Sequence, residues 1–219
     1  MEFKKKSRIL FVGDSITDCQ RDYNAPLAGW GSFGEGYVNL INAFTMSLYP
    51  EKEYMIINKG ISGDTIRDLE KRWQEDVINI HPDVVNIMIG INDVWRHFDS
   101  VFNQVSLIEI DEFVKIYRKL IQETLKETSN VVLLSAFMFE KNSDDDMKKM
   151  LHLFQKATED LAIEFDLPFV DVQKKVDSFL IHQSNYALSS DRVHPSTISG
   201  HMLIAKAWLD KVEFQWDRG

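Results

Sequence analysis

The sequence has 219 residues, enough for one domain of ordinary size with a substantial hydrophobic core. Hydrophobic residues make up 44% of it and charged residues 27%, a balance typical of soluble globular proteins and unlike that of disordered ones. The formal net charge of −9 argues against nucleic acids and anionic membranes as partners, since both are bound through clustered Lys and Arg. We expect one domain over residues 1–219.

Five short apolar runs rich in Val and Ile are the candidate strands. Each is too short for a helix, and an unbroken apolar run is typical of a strand buried on both faces. The runs span residues 9–12, 54–57, 84–89, 131–136 and 169–172.

Segments with helical spacing lie between these runs. One example has apolar residues at Ile66, Leu69, Trp73 and Val77. A further helix is expected near 37–48 and a last one over about 196–212, with Pro195 suited to its first turn. Because strands and helices alternate, we predict an α/β fold, a three-layer α/β/α sandwich with a central parallel sheet of about five strands.

Polar or glycine-containing segments follow the first three predicted strands. They are Gly13-Asp14-Ser15, Ser62-Gly63 and Gly90-Ile91-Asn92-Asp93. The carboxyl ends of parallel strands meet at one edge of a sheet, so we expect these segments to converge there. Asp64 and Thr65 are candidate caps for the next helix, which would place the Gly63 N–H near a positive helix terminus.

Together with a C-terminal Asp-His pair, these segments can supply every part of a serine acyl-transfer site. Such a site needs a nucleophile, a base, an acid that orients the base, and donors for the oxyanion. We assign the first three roles to Ser15, His194 and Asp191, in that order. For the oxyanion hole we expect the Ser15 N–H, the Gly63 N–H and the Asn92 side-chain amide. This chemistry requires no cofactor and no metal, and its partner is a small-molecule ester.

The position of the serine separates this sequence from the α/β-hydrolases. Their nucleophile lies in a mid-sequence G-x-S-x-G elbow, whereas residues 13–17 lack the second glycine. We expect the carboxyls of Asp14 and Asp93 to brace their turns through hydrogen bonds and not to take part in the chemistry.

Four segments resemble the sequence blocks of the SGNH (GDSL-type) hydrolase superfamily, in the family's order and across nearly the whole length. They are Gly13-Asp14-Ser15-Ile16, Ile61-Ser62-Gly63-Asp64, Gly90-Ile91-Asn92-Asp93 and Asp191-Arg192-Val193-His194. Ile16 replaces the Leu of the family's name. Longer stretches around these segments look most like intracellular acetylxylan esterases, which remove acetyl groups from xylo-oligosaccharides.

The resemblance implies a flavodoxin-like SGNH fold and a carboxylic ester hydrolase that acts through an acyl-serine on an acetylated saccharide. Other SGNH esterases, thioesterases and lysophospholipase-type lipases would use the same residues on another acyl donor, and the acyl pocket decides among them. A non-catalytic flavodoxin-like binding protein is a distant alternative, which would not need Asp191 and His194 as a pair. Relatives often oligomerise, so a homo-oligomer stays open, and the aromatic stretch 214–216 fits an interface or a core.

Two tryptophans are candidate substrate-binding residues. Trp30 and Trp95 could each stack on a sugar ring or merely pack. Residues 29–34, around Trp30, match G-x-G-x-x-G, but a dinucleotide fingerprint must directly follow the first strand, where Ser15 lies. We therefore interpret 29–34 as a glycine-rich loop before a helix.

Three further features suggest chemistry but have simpler interpretations. The single cysteine, Cys19, excludes an internal disulfide and is expected to pack rather than to react. The acidic run 144–146 cannot direct all three carboxylates at one metal ion, and it indicates a helix start capped by Ser143. His201 is expected to pack or to face solvent.

The N-terminal segment resembles a signal peptide only in outline. Basic residues precede the apolar run 9–12, which is shorter than the ~7–15 apolar residues of a signal peptide. Cleavage after that run would destroy the site, because Ser15 follows it closely. We therefore expect a cytoplasmic protein.

Overall fold

A parallel sheet of five strands forms the centre of the molecule, which a computed structural model describes over residues 3–99 and 106–216. The strands are β1 (Arg8–Gly13), β2 (Met55–Gly60), β3 (Val84–Met88), β4 (Val131–Leu134) and β5 (Phe169–Val170). Their spatial order is β2-β1-β3-β4-β5, and every neighbouring pair is parallel. This is the 2-1-3-4-5 order of flavodoxin-like folds. The predicted sheet is confirmed.

Helices cover both faces of the sheet. They are α1 (Ser15–Asp18), α2 (Tyr37–Leu48), α3 (Ile66–Asp76), α4 (Ile91–Asp99), α5 (Ile110–Thr124), α6 (Asp146–Glu164), α7 (Val172–Leu180) and α8 (Ile198–Lys211). In one layer α8 packs against α2 and α7, and in the other α5 packs against α3 and α6. The predicted α/β/α sandwich is therefore confirmed. Within the described residues, no helix is both long and apolar enough to cross a membrane.

β4 and β5 end earlier than their apolar runs, where polar groups bind the first N–H groups of α7. β4 stops before Ser135, whose hydroxyl accepts the N–H groups of Val172 and Gln173 at 2.9 and 3.3 Å. β5 stops before Asp171, which is the N-cap of α7. Such caps end a strand that hydropathy alone would extend.

Two helix starts also differ from the sequence prediction. α8 begins directly after its N-cap, Thr197, so Pro195 precedes the helix and is not in its first turn. α6 begins behind the N-cap Asp145, whose carboxylate accepts the Lys148 N–H at 2.9 Å. The predicted cap Ser143 is therefore wrong, although the acidic run does start a helix.

The aromatic residues near the C-terminus pack within the same molecule. The ring of Phe214 lies 4.9 Å from that of Tyr49, and the ring of Trp216 lies 5.2 Å from that of Phe44 in α2. They hold the C-terminal segment against α2 and the residue after it. The assembly state stays a prediction.

A buried asparagine ties the sheet to α8. Asn86 lies in β3 and is 1% exposed. Its Nδ2 donates to the Leu10 carbonyl of β1 at 2.9 Å, and its Oδ1 accepts from the Trp208 Nε1 of α8 at 2.6 Å. Buried polar groups are tolerated when they are hydrogen-bonded, and the Asn86 side chain makes one hydrogen bond with β1 and one with α8.

We predict that Asn86→Ala lowers the free energy of unfolding by about 1–3 kcal/mol, because the Trp208 N–H is left buried without its acceptor. Chemical denaturation measures the change. The matched control is Asn79→Ala, outside the core, for which we expect a change within about 0.5 kcal/mol. Equal losses in the two variants would contradict the role given to Asn86.

Candidate active site

The turn after β1 presents Ser15 at the carboxyl edge of the sheet. α1 begins at Ser15, and Asp14 is its N-cap, with Oδ1 accepting the Ile16 N–H at 3.0 Å. Gly13 allows this turn to lie close to β3, because a Cβ at that position would be 2.2 Å from the Met88 carbonyl oxygen. The expectation that Asp14 braces the turn is confirmed.

Three predicted residues form one continuous series of hydrogen bonds. The Oγ of Ser15 lies 2.8 Å from Nε2 of His194, and Nδ1 of His194 lies 2.7 Å from Oδ2 of Asp191. An Nδ1–H that donates to the carboxylate leaves Nε2 as the acceptor for the serine hydroxyl. The imidazole of His194 and the carboxylate of Asp191 are 37% and 39% exposed, so the site is open to a ligand.

The carboxyl of Asp191 is held as an anion. Burial raises its pKa, but hydrogen bonds from the His194 ring and from the backbone N–H groups of His194 and Val193 outweigh burial and hold the pKa below its usual range. Its Oδ1 accepts those N–H groups at 2.8 and 2.9 Å. The negative charge therefore persists beside the imidazole, where it favours a developing imidazolium.

Arg192 anchors the Asp-His loop (residues 191–194) to the segment between β4 and α6. Its backbone has a φ of +72°, and its carbonyl accepts the Phe139 N–H at 2.7 Å. Its Nη1 donates to Glu140 at 2.6 Å and to Asp145 at 2.9 Å. This role was not predicted from the sequence, whose only signals for it are an arginine between the two predicted residues and a distant acidic run.

The Gly63 loop (residues 61–66) follows β2 and is held by hydrogen bonds on both sides of Gly63. The Ser62 N–H donates to Oδ2 of Asp18 at 3.2 Å, and the Ile66 N–H donates to Oδ1 of Asp93 at 3.0 Å. Gly63 has a φ of +86°, which favours glycine, and a Cβ there would meet no atom within 4 Å. Within the described ranges, no acceptor takes the Gly63 N–H.

The helix after the Gly63 loop starts as predicted, with one difference. Thr65 is the N-cap of α3 in a capping box with Asp68, so the Gly63 N–H lies just before a positive helix end. The alternative cap, Asp64, instead binds Nε of Arg72 at 2.7 Å.

The Asn92 amide reaches the same loop. Asn92 is 2% exposed in the first turn of α4, and its Nδ2 donates to the Asp64 carbonyl at 2.9 Å. An amide nitrogen carries two hydrogens, so one N–H remains for a ligand. Ser15 adds a backbone N–H that has no acceptor among the described residues. The predicted oxyanion donors thus come from the ends of three adjacent strands.

Arg72 links two of these strand ends, those of β1 and β2. Its Nη2 donates to the Gly13 carbonyl at 3.0 Å and its Nη1 to the Lys59 carbonyl at 2.8 Å. The carboxylates of Asp64 and Asp76 complete its partners, and the arginine is only 13% exposed beyond its backbone. No role for this arginine was predicted from the sequence.

The other predicted positions fall at different distances from the site. The ring of Trp95 lies 5.6 Å from that of His194, while Trp30 is 96% exposed in the loop between α1 and α2.

Burial raises the pKa of the Cys19 thiol, whose Sγ lies 3.3 Å from Nε2 of the buried His201. Packing of Cys19 and His201 is confirmed, but their contact was not predicted. The described residues hold no cluster of three or more metal-binding groups.

Two buried carboxyls next to the site have raised pKa values. Burial raises the pKa of both Asp14 and Asp93 to about 7, against the opposing effect of backbone hydrogen bonds. Asp93 is 1% exposed and holds the Ile66 N–H, so the expectation that it is structural is confirmed.

We predict that Asp93→Asn changes the pH dependence of stability. The unfolded Asp93 carboxyl loses its proton near pH 4, whereas the folded one keeps it to about pH 7. Between these values the folded state binds more protons, so the stabilisation present below pH 4 is lost as the pH rises to 7. Relative to Asp93→Asn, the free energy of unfolding of the wild type should fall by at most about 1.4 kcal/mol per pH unit as the pH rises. Denaturant titrations from pH 4.5 to 7.5 measure this, and parallel curves would contradict the raised pKa.

Comparison with known proteins identifies the family. Residues 11–198 match the GDSL-like Lipase/Acylhydrolase family. The acetylxylan esterase of Geobacillus stearothermophilus is 39% identical over 218 residues, which cover 100% of this protein and 99% of that one. The protein belongs to the GDSL-like lipase/acylhydrolase family. The predicted family is confirmed, and with it the prediction of a carboxylic ester hydrolase.

Solved structures agree with this assignment. Axe2, an acetylxylan esterase from Geobacillus stearothermophilus, is 39% identical, covers 100% of both proteins and superposes with a TM-score of 0.95. LAE5, an alpha/beta hydrolase enzyme from the metagenome of Lake Arreo in Spain, is 36% identical over 96% of this protein and 97% of its own length, with a TM-score of 0.92.

Three of the similar structures are described as catalytic mutants of Axe2, namely S15A, D191A and H194A. Each is 38% identical to this protein, covers 100% of both sequences and has a TM-score of 0.95. The mutated positions carry the numbers of Ser15, Asp191 and His194 here.

Proposed function

We propose that this protein is a serine ester hydrolase that removes acetyl groups from xylo-oligosaccharides through an acyl-serine intermediate. The observation that carries the proposal is the series of hydrogen bonds from Ser15 through His194 to Asp191, at 2.8 and 2.7 Å. A packing role alone does not require a serine, a histidine and an aspartate in this order at the open edge of a sheet.

In the first half of the proposed reaction, Ser15 Oγ attacks the ester carbonyl while Nε2 of His194 takes its proton. The Asp191 carboxylate stabilises the imidazolium. The oxyanion accepts hydrogen bonds from the N–H groups of Ser15 and Gly63 and from the Asn92 amide. The tetrahedral intermediate then collapses, and His194 returns the proton to the leaving sugar oxygen. The products of this half are the free sugar hydroxyl and an acyl group on Ser15.

In the second half, water attacks the acyl group. His194 takes a proton from the water, and the oxyanion forms again between the same donors. Collapse releases acetic acid and returns the proton to Ser15. Loss of one such donor costs on the order of 10²–10³ in turnover, which is the scale expected for Asn92. No cofactor or metal is needed for these steps.

The substrate class is inferred from relatives and from two aromatic residues. Axe2 is described as an acetyl-xylooligosaccharide esterase, and its catalytic mutants coincide in number with the three residues given catalytic roles here. Trp95 lies beside His194 and Trp30 is exposed, so each is proposed as a surface on which a sugar ring stacks. A cytoplasmic location and assembly into a homo-oligomer remain predictions.

We predict Ser15-dependent hydrolysis with a preference for acetyl esters. The test compares rates on p-nitrophenyl acetate, butyrate and octanoate with acetate release from acetylated xylobiose, for the wild type and Ser15→Ala. Removal of the nucleophile should reduce turnover to near the uncatalysed rate while the circular dichroism spectrum is unchanged.

The outcomes separate the alternatives. Fast release of acetate from both the nitrophenyl and the sugar ester supports the deacetylase. A preference for octanoate without activity on the sugar would favour the lipase-type alternative. Turnover that survives in Ser15→Ala would contradict the proposed mechanism.

A further inference from the structure

We propose that Asp18 is a positioning residue that aims the Gly63 N–H at the oxyanion. Its carboxylate is the direct link between the helix that carries the nucleophile and the Gly63 loop (residues 61–66). The proposal rests on the proposed function and adds to it a residue that does not touch the substrate.

Asp18 is the last residue of α1, three positions after Ser15, and it is 5% exposed. Its Oδ2 accepts the Ser62 N–H at 3.2 Å and the Tyr23 hydroxyl at 2.5 Å. Its Oδ1 accepts the Arg21 N–H at 3.2 Å. A carboxylate accepts hydrogen bonds and donates none. The Arg21 N–H also reaches the Asp18 backbone carbonyl at 3.1 Å, so the contacts that depend on the carboxylate are those with Ser62 and Tyr23.

The contact with Ser62 controls the peptide next to the reactive N–H. The Gly63 N–H belongs to the peptide that joins Ser62 to Gly63, so its direction depends on how Ser62 is held. On the far side, the Asp64 carbonyl is fixed by Asn92. On the near side, Asp18 supplies the corresponding fixed point. Without it, Gly63, which favours many backbone conformations, can rotate its N–H away.

The surroundings of Asp18 strengthen this hold. The ring of Tyr23 is covered on one face by the Arg21 guanidinium, 4.2 Å from its centroid, and Arg21 Nε donates to the Gly60 carbonyl at 2.7 Å. The Asp18 carboxylate itself lies in a buried residue, 5% exposed. Hydrogen bonds in such a shielded place are stronger than in water, so Asp18 ties the oxyanion donors of Ser15 and Gly63 into one unit.

Loss of the Asp18 carboxylate should raise the energy of the transition state more than that of the bound substrate. The oxyanion exists there and not in bound substrate, so a misdirected donor lowers kcat and changes KM little. For Asp18→Ala we expect kcat on p-nitrophenyl acetate to fall about 10- to 100-fold, which is less than the loss that removal of a donor causes. We expect KM to stay within about twofold of the wild-type value. Asp18→Asn keeps one acceptor oxygen and should recover part of the rate.

A double-mutant cycle separates positioning from a structural role. If Asp18 acts through the oxyanion hole, the loss in Asp18→Ala/Asn92→Ala should be smaller than the product of the single losses, because both disturb the same group. The control is Asp171→Ala, which removes the N-cap of α7 far along the sheet and should lower Tm while kcat stays within about twofold.

The results distinguish this proposal from the proposed function. If the wild type hydrolyses no ester, the proposed function fails. If the wild type is active and Asp18→Ala keeps its kcat, or the cycle gives the full product, the positioning role is overturned. Should Asp18→Ala not fold, Asp18→Asn carries the test, and an unchanged kcat in that variant contradicts the proposal.

Discussion

The Arg72 guanidinium is the interaction on which the rest of the site depends. A buried positive charge is costly unless oxygen atoms satisfy it, and here two carboxylates and two strand-end carbonyls do so. One group thereby fixes the spacing between the ends of β1 and β2 and holds the Gly63 loop to both. Because Ser15 follows β1 and Gly63 follows β2, the network sets the distance between two of the proposed oxyanion donors before a substrate arrives.

The Asp-His loop is held by a second guanidinium on the other side of the site. Arg192 bridges Glu140 and Asp145, just as Arg72 bridges two carboxylates, because the fork of an arginine satisfies several acceptors at once. The proposed nucleophile, base and oxyanion donors are thus all held by groups to which the proposed mechanism gives no chemical step. Donors that are already oriented need no reorganisation when charge develops, which is the main source of catalysis in such sites.

The sequence predicted which polar groups the structure brings together at the strand ends better than it predicted the groups that hold them there. The Ser-His-Asp series and the Gly63 and Asn92 groups follow from local patterns, because each lies directly after an apolar run or within one short segment. The holding groups act on partners far away in the sequence: Arg72 binds Gly13, 59 residues away, Asp18 binds Ser62, 44 away, and Arg192 binds Asp145, 47 away. A charged residue in the sequence gives no sign of such a contact. Helix starts at Thr197 and Asp145 were missed for a related reason, since several neighbouring polar residues could each have been the cap.

The central claim is that Ser15 is a nucleophile activated by His194 in a preformed site. Labelling with a fluorophosphonate, followed by peptide mass spectrometry, tests it most directly, because the reagent reacts covalently with activated serines and leaves ordinary ones unmodified. We expect a single adduct on Ser15 in the wild type and none in His194→Ala. An adduct on another residue, or equal labelling of His194→Ala, would contradict the account.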